Sequence, residues 1–374
     1  MANGTTSDLT RLGEVKIDNF TLIRRVGAGA MGEVYLAQEA ITNRKVALKL
    51  MQQRIHSDPA AMERFRKEIE AVATLEHANI ALFAGHGVYQ GMPYMAMEMV
   101  DGVELGEFIK GGARLGEEVA LFLVTQIAEA LEYAHQRTGL VHRDLKPGNI
   151  ILDLAGEKGI TSSTRAKIID FGLASFRALI DQEFSADAGM SIHKEADDIA
   201  GQTVGTPAYM PPEQVRGDAQ ITFAADIYSL GATLYHLLTG QIPYNAKTPS
   251  LIMVAHLQEP VPDPCRLVPD LRPSTRDLVM RAMAKDPAQR HKSWEQFITA
   301  TRSALKLVQA GTVRITARHL KGGQRHERVD ESARFVRRAL GEARPGSMSG
   351  AEALGALIAR RTVERQDPGS TPGG

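Results

Sequence analysis

The densest chemistry in the sequence lies in VHRDLKPGNIILD, Val141 to Asp153, and in IIDFG, whose Asp170 follows Asp153 by seventeen residues. Asp144 can accept or orient a hydroxyl proton, and Lys146 can neutralise charge on a phosphoryl group in transfer. Asn149 and Asp170 offer the hard oxygen ligands that magnesium prefers, a cation that carries phosphate oxygens with it. The set holds no covalent nucleophile. It suits a phosphoryl transfer in which catalysis consists of positioning and electrostatic stabilisation. Upstream, GAGAMGEVY places Gly27, Ala28, Gly29 and Gly32 where backbone can approach a bound group without a Cβ clash. The glycines alone would fit a plain hairpin turn equally well. Because Glu33 to Gln38 reads as a strand and not as a helix, a flap over nucleotide phosphates is favoured over a dinucleotide crossover. Lys49 in VALKL can reach two phosphate oxygens, and Glu68 can orient it as an ion pair. Taken singly, each of these two would pass for a solvated surface charge.

The elements that must position these groups fall into two kinds. From Phe20 to about Leu50 the sequence alternates as FTLIRRV, EVYLAQEA and KVALKLM, a small antiparallel sheet. Met62, Phe65, Ile69, Val72 and Leu75 recur at helical spacing, which predicts one helix packed on that sheet. Strands near Ile80 to Val88 and Tyr94 to Met99 complete the first lobe. Beyond Asp101 the pattern turns helical, notably at Glu117 to Gln136, Ala225 to Leu238 and Pro273 to Met283. The fold class expected is α+β and bilobal.

In order, GAGAMGEV, VALK, Glu68, HRDLKPGN, DFG and PPE resemble eukaryotic-like (Hanks-type) Ser/Thr protein kinases of the bacterial kind, over roughly Phe20 to Leu305. The resemblance implies an ATP- and Mg2+-dependent transfer to serine or threonine of protein substrates, with autophosphorylation through self-association. It implies catalytic roles for Asp144, Lys146, Lys49 and Glu68, and magnesium on Asn149 and Asp170. Val34 and Ala47 would cover the adenine and Ile151 would underlie it, with Met97 as gatekeeper and the Glu98 to Val100 backbone as its hydrogen-bonding edge. Glu213 would pair with Arg290, and Asp226 would hold the backbone of His142 and Arg143. His142, Phe171 and Val72 would belong to a hydrophobic stack joining the lobes. Lys146 and Thr206 carry the Ser/Thr assignment. Pro211 departs from the usual alanine, HANI from the commoner HPNI, and the stretch from DFG to Thr203 is long. A catalytically silent ATP-binding scaffold and a small-molecule kinase on the same fold are the rivals. The intact catalytic set opposes the first and GTPAYMPPEQ, a peptide platform in the family, opposes the second.

Residues four, six and eight before Thr206, where the family places activating phosphates, are Gln202, Ala200 and Asp198. Either Thr203, Ser191 or Ser185 is modified in a shifted register, or Asp197 and Asp198 sit near Arg143 unmodified.

Lys plus Arg balance Asp plus Glu at 44 each, so no global field points to nucleic acid or a membrane surface. Cys265, the only cysteine, can form no internal disulfide and agrees with a reducing compartment. The start of the sequence, without a basic stretch followed by an apolar run, argues against a secretory signal, and no stretch approaches 18 uninterrupted apolar residues. The expectation is a cytoplasmic protein with a leader at 1–19, lobes at 20–100 and 101–305, and a basic extension at 306–374. Val329, Ala333, Val336 and Leu340, and then Leu354, Leu357 and Ile358, form apolar stripes that either pack loosely or dock on the acidic catalytic domain or a partner. Arg337, Arg338, Arg360 and Arg361 are too sparse to argue for nucleic acid.

Overall fold

Period-two alternation folds as strands where the sequence demands it. The computed structural model describes residues 15–29, 32–51, 59–171 and 207–320. Its first sheet joins β1 (Lys16–Ile17), β2 (Phe20–Gly29), β3 (Gly32–Glu39), β4 (Lys45–Met51), β5 (Phe83–Tyr89) and β6 (Met92–Glu98). Their order is β1-β2-β3-β4-β6-β5, with every pairing antiparallel. Residues directly opposite one another share a face. Tyr35, Leu48 and Ala96 therefore line up on the outer face, where they pack with Ile17, Phe20, Leu22 and Tyr94.

The sheet takes in residues ahead of Phe20, within the segment expected as a leader. Ile17 on β1 is buried in that outer cluster, and Tyr94 OH donates to the Asp18 carboxylate in the β1–β2 turn. Lys16 and Ile17 thus pair with the sheet, and Ile17 packs in the cluster that holds Phe20 and Tyr94.

Helix α1 (Pro59–Val72) follows the helical spacing and buries Ile69 and Val72. After β5 and β6 the chain enters a second, three-stranded sheet of β7 (Val103–Glu104), β8 (Ile150–Asp153) and β9 (Arg165–Ile168). Helices carry the rest of the second lobe: α2 (Glu117–Thr138), α3 (Pro212–Val215), α4 (Phe223–Thr239), α5 (Pro249–Gln258), α6 (Pro273–Ala282) and α7 (Trp294–Leu320). Helix α2 stops at Gly139 and α4 at Gly240, both left-handed at φ 72°. A Cβ on Gly240 would also lie 2.3 Å from the Gly112 carbonyl oxygen. Leu121, Val124, Ile127 and Leu131 of α2 share one core with Ile227, Leu230 and Leu234 of α4. Among the described residues no helix is long and apolar enough to cross a membrane.

Helix α7 lies antiparallel to α2, tied by Arg302 to Glu129 at 2.8 Å and by Gln309 to Glu118 at 3.2 Å. It runs on to Leu320 and so crosses the domain boundary expected at Leu305. The apolar stripes expected from Val329 to Ile358 lie outside the described residues, as do Thr203, Thr206, Ser185, Ser191, Asp197 and Asp198.

The deepest polar anchor is Arg290, which is fully buried. Its guanidinium donates to both Glu213 oxygens at 2.6 and 2.8 Å and to the carbonyls of Ala224, Ala284 and Lys285, and it lies over the Tyr228 ring. The expected Glu213–Arg290 pair is present. Removing one partner of such a pair strands the other charge without water, at a cost of about 3–5 kcal/mol. Arg290→Ala should therefore lower the thermal midpoint by several degrees, and Arg290→Lys should recover little, since an ammonium cannot serve the planar fork. A midpoint within about 2 °C of wild type would contradict this assignment.

Burial also pushes the His236, His256 and His291 imidazoles down to about 4. An unfolded imidazole takes up its proton below about 6.5, whereas these three stay neutral until about 4. The stability they confer is complete above the unfolded value and is lost as pH falls toward the folded one. Thermal midpoints should drop across that window, and His256→Gln should flatten the slope; an unchanged slope would remove His256 from the account.

Candidate active site

The sheet register builds the roof of a slot. Gly27 stands opposite Val34, Val34 opposite Lys49, and Lys49 opposite Met95, so the four form one row on the inner face. Leu36, Ala47 and Met97 form the next row. Val34 and Ala47 are only half-buried, and a Cβ built on Gly27 would meet nothing within 4 Å. This face is therefore left open between the lobes. Gly32 differs: at φ 141° a Cβ there would come within 2.0 Å of the Leu50 carbonyl oxygen, so the fold itself demands that glycine. Ala28 is exposed and in the opposite parity to Gly27, which leaves only its backbone to face a ligand; Gly29 closes the hairpin opposite Gly32.

Met97 is buried among Met51, Ile69, Ala81 and Met95 at the back of the slot, with Val100 packed beside them. The floor is Ile151 on β8, half-buried between the core residues Ile150 and Leu152 and paired with Glu104 and Lys167. Gly102, which follows the Glu98 to Val100 segment, allows close passage, since its Cβ would lie 2.4 Å from the Leu152 carbonyl oxygen.

Below the slot, a loop and a one-turn helix (Pro147–Asn149) carry the polar groups. Asp226, buried on α4, accepts the backbone N–H of His142 at 2.7 Å and of Arg143 at 2.8 Å, as expected. Burial pushes the Asp226 carboxyl up from its ordinary value, and the two backbone donors pull the other way. His142 packs edge-on against Phe171 with ring centroids 4.8 Å apart, while Val72 and Phe171 share the main core. Arg143 and Asp170 both sit at φ 60°, a conformation that non-glycine residues hold only when their surroundings force it.

Asp144, Lys146 and Asn149 are brought together. Lys146 Nζ lies 3.1 Å from Asp144 Oδ2, and Asn149 Nδ2 donates to the Asp144 carbonyl at 2.7 Å and to Oδ2 at 3.0 Å. Those bonds use the amide nitrogen and leave the Asn149 amide oxygen as the donor toward a cation. Asp170 is set by its neighbours: Ile169 N–H donates to the Asn149 carbonyl at 2.9 Å, and Ile168 bridges to the loop after α1 through Asn79 and Ala81. Lys49 Nζ reaches from the roof to Asp170 Oδ2 at 2.7 Å. The partner expected for Lys49, Glu68, is half-buried on α1 beside the fully buried Ile69. Among the described residues no three His, Cys, Asp or Glu side chains could hold a metal. One carboxylate and one amide oxygen are what magnesium uses when phosphates supply the remaining ligands. The residues present fit Mg2+ and a nucleotide.

Two further sets of contacts were not foreseen from sequence. Asn79 Nδ2 donates to Gln126 Oε1 and to the Ala166 carbonyl, both at 2.8 Å, which ties the loop after α1 to α2 and β9. Lys167 Nζ binds both Glu98 oxygens at 2.7 Å. The only sequence sign of Lys167 is a lysine set between Ala166 and Ile168, both fully buried.

A profile of the protein kinase domain matches residues 20–300. The serine/threonine-protein kinase Pkn1 of Myxococcus xanthus is 35% identical over 309 residues, covering 83% of this chain and 41% of that protein. The probable serine/threonine-protein kinase PknB of Lactococcus lactis is 31% identical over 304 residues, covering 81% of this chain and 44% of that protein. The chain thus spans less than half the length of these curated relatives. In three dimensions it is similar to the kinase domain of PknI from Mycobacterium tuberculosis, with a TM-score of 0.59 at 29% identity over 78% of this chain and 98% of that one.

The grip of Asp226 is directly measurable. Asp226→Asn keeps the shape but turns one acceptor into a donor facing a backbone N–H. Since a hydrogen bond to a charged group contributes about 1.5–3 kcal/mol, hydrogen exchange at the His142 and Arg143 amides should accelerate about tenfold or more. Unchanged exchange at both would show that something else holds the loop.

Proposed function

Because this chain belongs to the protein kinase family, with bacterial Ser/Thr kinases among its relatives, we propose that it transfers the γ-phosphoryl group of ATP, held with Mg2+, to serine or threonine hydroxyls of proteins. The observation that carries the proposal is the convergence of Asp144, Lys146 and Asn149, bonded to one another at 2.7–3.1 Å, with Asp170 and Lys49 in contact at 2.7 Å beside them.

Each group has one task. The Asp144 carboxylate accepts a hydrogen bond from the substrate hydroxyl and takes its proton as the hydroxyl oxygen bonds to the γ-phosphorus and the bond from that phosphorus to the β,γ-bridging oxygen breaks, releasing ADP. Lys146, on the same carboxylate oxygen, keeps Asp144 oriented and places a positive charge where the transferred group gains negative charge. Lys49 stands in the row beneath Gly27 and Val34, where phosphates lying under the flap would meet it. When bound, Mg2+ would sit on the Asn149 and Asp170 oxygens and neutralise phosphate charge. Glu68 would orient Lys49 from α1 in the nucleotide-bound state. Val34, Ala47 and Ile151 would enclose the adenine, Met97 would close the back, and the Glu98 to Val100 backbone would read its edge. Gly27, Ala28, Gly29 and Gly32 would supply the flap.

Autophosphorylation between two copies belongs to the same reading. We place the enzyme in the cytoplasm, where ATP is available and the free Cys265 stays reduced.

The test incubates the protein with labelled ATP, Mg2+ and a generic basic protein, followed by phosphoamino-acid analysis. Label on phosphoserine or phosphothreonine is expected. Lys49→Met and Asp170→Asn should each lose at least about a hundredfold in turnover while unfolding cooperatively like wild type. Either variant keeping more than about a tenth of wild-type turnover, a loss under ~1.4 kcal/mol, would remove that residue from its role.

A further inference from the structure

Lys167 has no place in the machinery described above, yet through the Glu98 carboxylate it ties together both sides of the slot. Lys167 Nζ holds Glu98 Oε1 and Oε2 at 2.7 Å each, and the two side chains are only 14% and 30% exposed. A pair only three residues apart, such as Lys110 with Glu107 at 3.2 Å, joins nothing that is not already joined. Glu98 and Lys167 are 69 residues apart and lie on different sheets.

At the upper end, Glu98 closes β6 where the chain crosses to the second lobe. Its N–H donates to the Leu82 carbonyl at 2.7 Å, and its Oε2 accepts from Leu82 N–H at 3.1 Å. At the lower end, Lys167 stands opposite Ile151 across the β8–β9 pairing, and the chain reaches Asp170 three residues later. The pair is a strut between the crossover backbone and the strand beside the floor. Truncating Lys167 would leave the Glu98 carboxylate half-desolvated with one backbone donor. The carboxylate would then turn to water, and the crossover would lose its fixed distance from Ile151.

We infer that Lys167 is a positioning residue for the nucleotide, acting through Glu98 to fix the spacing between the crossover segment and the floor of the slot. The inference rests on the ATP reading given under Proposed function. Lys167 touches no reacting atom. Its effect falls on nucleotide affinity and leaves the peptide-binding surface and the transfer step alone, because the contacts among the described residues tie Asp144, Lys146 and Asn149 to one another, whereas Lys167 is tied to Glu98.

The experiment compares wild type, Lys167→Met and Lys167→Arg by thermal midpoint, kcat, KM for ATP at saturating peptide and KM for peptide at saturating ATP. Lys167→Met should raise KM for ATP about fivefold, as expected for truncating one side of a partly buried charged pair. Its kcat and peptide KM should stay within about twofold of wild type, and Lys167→Arg should restore KM for ATP because a guanidinium can fork onto the same two oxygens. If Lys167→Met does not fold, Lys167→Gln is read in its place, since it keeps much of the stem while removing the positive charge, and the same selective rise is expected. A KM for ATP within about twofold of wild type, or kcat and both KM values moving together, would overturn the inference and leave the ATP reading intact. A wild-type protein that neither binds nor turns over ATP would overturn both.

Discussion

The site hangs on one buried carboxylate. Asp226 sits inside the second lobe on α4 and grips two consecutive backbone N–H groups, those of His142 and Arg143. It lies on a helix whose buried residues share one core with α2 and α7. From those two bonds the rest follows in order. His142 is fixed against Phe171, Arg143 is held at a left-handed φ, and Asp144 emerges with its carboxylate facing Lys146 and Asn149. Through the Ile169–Asn149 bond the same register sets Asp170. Burying a carboxylate is costly, and the cost is offset because each oxygen accepts a backbone N–H.

The two lobes are registered to each other by several polar contacts of different kinds. Asn79 connects the loop after α1 to α2 and β9, and Ile168 continues that link as a short parallel bridge. Lys49 and Asp170 meet across the front of the slot, and Glu98 and Lys167 meet at its crossover edge. Between these the walls are apolar, with Met51, Met95 and Met97 forming the back. Methionine side chains are unbranched and adaptable, so this wall can fit closely without being rigid.

Much of this was legible in the sequence, for identifiable reasons. Strand alternation and helical spacing report which face is buried, and they placed β2 to β4, α1, α2, α4 and α6 to within a few residues. The motif residues Asp144, Lys146, Asn149 and Asp170 were readable because metal and proton chemistry restrict the residue types allowed. The Glu213–Arg290 and Asp226 contacts came with the family resemblance. What escaped were contacts between residues of ordinary type far apart in sequence: Lys167 with Glu98, Asn79 with Gln126, and Asp18 with Tyr94. No period or motif marks such pairs, because their partners are chosen by the fold. Strand β1 was missed for a similar reason, since its two residues are too few to alternate visibly.

The buried Arg290 fork carries a consequence for how the second lobe assembles. Its five donors end on acceptors from Glu213, Ala224, Ala284 and Lys285, segments that lie up to 77 residues away along the chain. A partly assembled lobe that lacks any of them would hold a guanidinium shut away from water with N–H groups unmet. Such a species is uphill of both the open chain and the finished one. The fork therefore penalises half-built forms, so that the α3 turn, the start of α4 and the loop before α7 close together or not at all.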